Sequence, residues 1–160
     1  YDNGVYTGSY RYGSFFYEIK RNENEWVSRE KWKLGSKASA YMSSPVLFEG
    51  HAYLLIQDGK FACYNLKDGK ECWRSDKTFG GFSRHGKYMT LVRQGDMILA
   101  LDQSGGLHLI KATPKKFQMV ATIKVSKQQT WAHLAVSGNE IAIRELNGIA
   151  LFDWSPIPIP

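Results

Sequence analysis

The stretch Pro45-Val46-Leu47-Phe48-Glu49-Gly50-His51-Ala52-Tyr53-Leu54-Leu55-Ile56-Gln57-Asp58-Gly59-Lys60-Phe61-Ala62-Cys63-Tyr64-Asn65-Leu66-Lys67-Asp68-Gly69-Lys70-Glu71-Cys72-Trp73 decides the fold. Its apolar runs are rich in β-branched and aromatic residues, and Glu49-Gly50, Asp58-Gly59 and Asp68-Gly69 interrupt them. Asp-Gly between apolar runs is a strong hairpin signal, because glycine tolerates the positive φ that tight turns need. The stretch predicts an antiparallel meander of four strands at 43–48, 51–57, 60–66 and 70–75. The first strand is expected innermost and the last outermost.

Outward from this stretch the same unit recurs. Gly50 and Gly59 lie nine residues apart, as do Gly4 and Gly13, while Gly95 and Gly105, and Gly138 and Gly148, lie ten apart. From Gly13 through Gly59 and Gly105 to Gly148 the unit repeats about every 42 to 46 residues. No window shows the i, i+3, i+4, i+7 apolar stripe of an amphipathic helix. A four-strand unit at this period marks a propeller blade. The expected fold is therefore all-β, a partial β-propeller of about three to four four-stranded antiparallel blades. As a single propeller segment over 1–160, it divides into an incomplete blade at 1–34, blades at 42–76 and 88–125, an incomplete blade at 131–154, and a Pro-rich tail at 155–160. Each blade needs neighbours to bury its faces, so a part of a larger ring is expected, its C-terminal half.

Composition narrows the function. The chain has 160 residues, 43% of them hydrophobic and 22% charged, with a net charge of +6. The basic excess is dispersed, its longest run being Lys115-Lys116, whereas a phosphate-binding face clusters Lys and Arg on one element. Nucleic acid is not expected as a partner. No apolar run approaches the roughly 18 residues of a membrane span, so no membrane insertion is expected from this segment. No signal peptide is visible in the sequence, and a chain that starts at Tyr1 reads as a fragment or a processed product.

The corner Cys63-Tyr64-Asn65-Leu66-Lys67-Asp68-Gly69-Lys70-Glu71-Cys72-Trp73 resembles the tryptophan-docking motif of quinoprotein-type propellers, Ala-x-Asp-x-x-Thr-Gly-Lys-x-x-Trp. Gly69, Lys70 and Trp73 match outright, Asn65 stands for the Asp, Asp68 for the Thr, and Cys63 for the Ala. The glycine supplies the turn, the short polar residue bonds its backbone, and Trp73 offers a flat face to the adjacent blade. Asn65, Asp68, Gly69, Lys70 and Trp73 are thus expected to form a structural docking motif. The segments 98–114 and 129–136 are similar to a subgroup of bacterial proteins with quinone-binding-like propeller repeats. Elsewhere the motif weakens: Trp26 and Trp32 lie at a wrong offset in the first blade, and Phe117 is expected in place of Trp in the third.

The resemblance also implies what a true quinoprotein dehydrogenase needs: an adjacent Cys-Cys pair, a catalytic Asp, calcium ligands and a Trp that stacks on pyrroloquinoline quinone (PQQ). No Cys-Cys occurs in the sequence, and no catalytic Asp or calcium site maps onto it. No catalytic, cofactor-binding or metal-binding residue is therefore assigned, and no cofactor is expected outside that alternative. His51, His85, His108 and His133 share no metal-like spacing. No G-x-S-x-G elbow accompanies the serines. Propeller loops and inner strand ends line the usual binding surface, which makes Arg84, His85, Trp131, His133 and Arg144 the candidates for one.

Cys63 and Cys72 face each other if the chain reverses through residues 66–69, and a strained bridge then becomes feasible. A tighter turn at Asp68-Gly69 pairs Cys72 with Asn65 instead. Two free, largely buried thiols are expected. The leading expectation for function is a non-enzymatic scaffold or protein-interaction module of a bacterial extracytoplasmic protein, periplasmic or secreted. Its partner would be another protein or the remaining blades of the same propeller. Similar propellers include the lipoprotein scaffold of outer-membrane protein assembly. The alternative is a fragment of a quinone-dependent alcohol or sugar dehydrogenase.

Overall fold

A computed structural model describes residues 3–40, 42–79 and 88–155. They form four antiparallel sheets whose strand order follows the chain. The first sheet holds β1 (Gly4–Ser9), β2 (Gly13–Arg21) and β3 (Trp26–Leu34). The second holds β4 (Val46–Phe48), β5 (His51–Leu55), β6 (Lys60–Asn65) and β7 (Glu71–Thr78). The third holds β8 (Met89–Gln94), β9 (Met97–Asp102), β10 (Gly106–Lys111) and β11 (Met119–Lys124). The fourth holds β12 (Ala135–Ser137), β13 (Glu140–Arg144) and β14 (Ile149–Asp153). This is the architecture of a partial β-propeller. The first strand of the meander is shorter than its sequence predicts and the last is longer, ending at Thr78.

Alternation along the middle strands explains how the sheets stack. In β5, Ala52 and Leu54 face the first sheet, where they join Tyr6, Phe16 and Trp32. Tyr53 and Leu55 point the opposite way, into a core shared with Met89, Ile98 and Ile110 of the third sheet. A strand buried on both faces reads as a continuous apolar run, as Ala52 to Ile56 does. A third core joins Leu101 and Leu107 to Leu134, Ile141 and Ile143 of the fourth sheet. Neighbouring sheets converge at their first strands, where β4 contacts β8 and the Met89 N–H donates to Ser43 Oγ at 3.0 Å.

Turn glycines lock one sheet's hairpin to the exit of its own outer strand. Gly105 has φ +85°, and a Cβ there would lie 2.3 Å from the Ser126 carbonyl oxygen. That carbonyl can come so close only because no side chain intervenes. The N–H groups of Val125 and Ser126 both donate to the Gly105 carbonyl, at 3.0 and 3.2 Å. Among the described residues no helix is long and apolar enough to cross a membrane.

Candidate functional site

The corner after β6 is built from its own side chains. Asn65 Oδ1 accepts the Lys67 N–H at 2.8 Å, and Asp68 Oδ1 accepts the Lys70 N–H at 3.1 Å. The Asn65 N–H donates to the Lys70 carbonyl at 2.8 Å, and the Gly69 N–H to the Asn65 carbonyl at 2.8 Å. The Lys70 N–H and ammonium together hold the Asp68 carboxyl below the usual carboxylate range. Gly69 is required twice over: its φ is +73°, and a Cβ would meet the Trp32 ring at 2.9 Å.

Trp32 is therefore the ring that rests on this corner, and its indole N–H donates to the Leu66 carbonyl at 2.7 Å. Trp73 does the same one sheet further on, donating to the Thr113 carbonyl at 2.7 Å. Each indole leaves its own outer strand and docks on the next sheet's corner. Two readings of the sequence change accordingly. Trp32 is not out of place, because the register Phe16↔Trp32 matches Cys63↔Trp73 despite the longer hairpin of the first sheet. Phe117 does not stand in for a tryptophan; it lies in the third sheet's corner and receives Trp73, with ring centroids 5.7 Å apart.

Comparison with known proteins bears on the fold. No family model matches the chain. No curated protein matches it. Among solved structures it is similar to BamB from Moraxella catarrhalis, at a TM-score of 0.65 and 17% identity, over 94% of this chain and 40% of that one. The chain thus spans about two fifths of that protein's length. It is also similar to the computationally designed Ika4 protein, at a TM-score of 0.64 and 10% identity, over 96% of this chain and 86% of that one. Both likenesses support the propeller-like stacking of sheets.

The other candidate residues divide into separate places. Arg84 and His85 lie outside the described residues. Trp131 and His133 meet at Tyr88, with ring centroids 6.0 and 6.4 Å from it. His133 Nδ1 lies 3.0 Å from Thr90 Oγ1 on β8, and the Trp131 N–H donates to Gln129 Oε1 at 2.9 Å. These contacts place an aromatic cluster where the inner strands of the third and fourth sheets converge. Arg144 sits at the end of β13, and its Nε–H donates to the Glu145 carbonyl at 3.0 Å. A recess of about 320 Å³ opens near the start of the second sheet, between Tyr6 and Thr7 on one side and Met42, Ser43 and Pro45 on the other.

One polar constellation escapes sequence reasoning. Asp102 and His108, both buried, are joined by a 3.0 Å contact between Oδ2 and Nε2. The other ring nitrogen lies 2.8 Å from Thr122 Oγ1. Asp102 Oδ1 accepts the Ser104 N–H, the Ser104 hydroxyl and the Gly106 N–H at 2.8, 2.7 and 3.0 Å. Burial alone raises the Asp102 pKa, but the bonds from His108, Ser104 and Gly106 outweigh it and hold the carboxyl well below its usual range. This carboxylate–imidazole–hydroxyl chain saturates a turn, and the His108 ring is further fixed edge-on to Phe79 at 5.1 Å. The faint signal for it was an Asp at the mouth of the Ser104-Gly105-Gly106 turn.

The cysteines are free. Cys63 is buried, but Cys72 is exposed, which corrects the expectation of two largely buried thiols. The reason is a β-bulge: Cys63 pairs with Trp73 and Tyr64 with Glu71, so Cys72 is the extra residue that pairs with neither. Burial pushes the Cys63 thiol up. Among the described residues no group of three or more His, Cys, Asp or Glu could hold a metal ion.

Proposed function

We propose that the chain is a non-enzymatic scaffold segment, one that binds a protein partner or the remaining blades of its own propeller. The observation that carries this reading is the outer face of the fourth sheet. Ile149 and Leu151 alternate along β14 and are 69% and 71% exposed, beside Ala142 on β13. In the second and third sheets the face turned toward the next sheet carries a core shared with that sheet. Contiguous exposed apolar residues of this sort mark protein contact surfaces. A location outside the cytoplasm, periplasmic or secreted, goes with this reading through the family resemblance.

A photo-reactive amino acid placed at position 151 in the producing cell tests it. The expected product joins position 151 to another protein or to another part of the propeller. Reduction of an artificial electron acceptor after addition of PQQ and calcium would instead establish the dehydrogenase alternative.

A further inference from the structure

The outer strands β3, β7 and β11 share one irregularity. Each carries a bulge at the same point of its ladder. In β3, Phe16 pairs with Trp32 and Tyr17 with Glu30, leaving Lys31 extra. In β7, Cys63 pairs with Trp73 and Tyr64 with Glu71, leaving Cys72 extra. In β11, Leu109 pairs with Ala121 and Ile110 with Met119, leaving Val120 extra. Cross-strand partners share a face, so the residue after each bulge looks toward the next sheet. Two of these residues are the docked indoles Trp32 and Trp73. The third is Ala121, which is exposed.

Space matches the missing ring. A cleft of about 620 Å³ lies between the third and fourth sheets, walled by Met97, Leu99, Leu109, Val136 and Trp154. It continues outward from the core that Leu101, Leu107, Ile141 and Ile143 already share. Its far side carries the counterpart of the main-chain corners on which Trp32 and Trp73 dock. The Trp154 N–H donates to the Asn139 carbonyl as the Leu66 N–H does to Gly50 and the Ala112 N–H to Asp96. Walls and corner are present, and the outer strand supplies a methyl group where its two counterparts supply an indole.

We propose that the cleft between the third and fourth sheets receives a tryptophan side chain of a partner polypeptide, in the place that Trp32 and Trp73 fill at the other two sheet interfaces. An indole suits it because the walls are apolar and the corner offers main-chain carbonyls to a ring N–H. A flat, rigid ring also loses little conformational entropy on binding. This assignment rests on the reading of the chain as an interaction module and names the chemistry of one contact.

The probe is a capped five-residue peptide of glycines with one central tryptophan, alongside the same peptide with central alanine. Binding to the full chain is followed by NMR on the methyl groups of Leu99, Leu109 and Val136. Saturable shifts with the tryptophan peptide alone are expected. Ala121→Trp supplies the ring from within; it should weaken the peptide about tenfold or more and raise the thermal midpoint by about 2 to 4 °C. Met97→Glu charges the wall without adding a ring, and should weaken binding even if the larger side chain fails to fit. Equal binding by wild type and both variants, or equal binding of the alanine peptide, overturns the proposal. So does absence of binding to wild type. Self-association of the free chain that Ala121→Trp abolishes also overturns it, by giving the cleft to a second copy. Cross-linking at position 151 reads the opposite face of the fourth sheet, so that result can survive the failure of this one.

Discussion

Trp73 concentrates several interactions in one side chain. Its ring lies 6.1 Å from Phe61 and 5.7 Å from Phe117, while its N–H reaches across to the Thr113 carbonyl at 2.7 Å. Trp73→Ala removes both the packing and the bond and is expected to cost about 3 kcal/mol or more. Trp73→Phe keeps most of the area, and the lost hydrogen bond should cost about 1 kcal/mol. Urea denaturation of both variants beside the wild type measures the two contributions, and a Trp73→Phe midpoint equal to that of the wild type would mean that the indole N–H contributes nothing. The neighbouring thiols give a second test. Cys72 is exposed and Cys63 is buried with its thiol pushed up, so one thiol should react with a disulfide reagent in the native protein and a second only after unfolding. Two thiols reacting at equal native rates would contradict the bulge that separates them.

At the scale of the element, hairpin turns and bulges do different work. Gly105 has φ +85° with the Ser126 carbonyl where a Cβ would go, whereas Gly95 has φ +58° and nothing within 4 Å. Gly95→Ala should therefore cost about 1 to 2 kcal/mol, the left-handed penalty alone. Gly105→Ala should cost clearly more, because the backbone must also move away from Ser126. Thermal midpoints of the two variants compare them directly, and equal losses would place the whole penalty in φ. The turns were legible in the sequence because a glycine at fixed spacing is a local signal. Bulges were not, since one extra residue is defined only against the strand opposite. That is why Trp32 looked misplaced: β2 runs on to Arg21 before the chain turns, whereas β6 ends at Asn65, two residues after Cys63, although both turns enclose four residues and both indoles follow a bulge. It is also why the exposed Cys72 was missed. The Asp102–His108–Thr122 chain spans three strands and leaves no spacing that a single sequence displays. The corner residues Asn65, Asp68 and Gly69 were readable, because they bond their own turn.

The same buried carboxylate contributes to how the whole molecule responds to acid. Asp102 has a depressed pKa when folded, so its stabilisation is fully present above the ordinary carboxylate value of about 4 and is lost as pH falls through the lower folded value. Asp102→Asn should flatten that acid limb of the stability curve. It should also destabilise at neutral pH by about 1 to 3 kcal/mol, since the buried His108 loses its ionic partner. A variant with an unchanged slope below pH 4 would assign the acid sensitivity elsewhere.

Stability should likewise be graded along the row of sheets. The second and third sheets bury both faces, with Tyr53, Leu54, Phe61, Ile98, Leu101 and Ile110 each at 1% exposure or less. The fourth sheet buries Ile141 and Ile143 on one face and leaves Ile149 and Leu151 open on the other. In a stack whose stability is a sum of nearest-neighbour interfaces, an end unit loses one such term and opens first. Native-state hydrogen exchange should therefore run slowest for β5, β6, β9 and β10 and fastest for β13 and β14, among amides bonded within strands. Ala121→Trp strengthens the interface between the third and fourth sheets, so it should slow exchange in β13 while leaving β2 unchanged. If exchange rates in β13 already equal those in β6 in the wild type, the row of sheets unfolds as one cooperative block and the nearest-neighbour description fails for this chain.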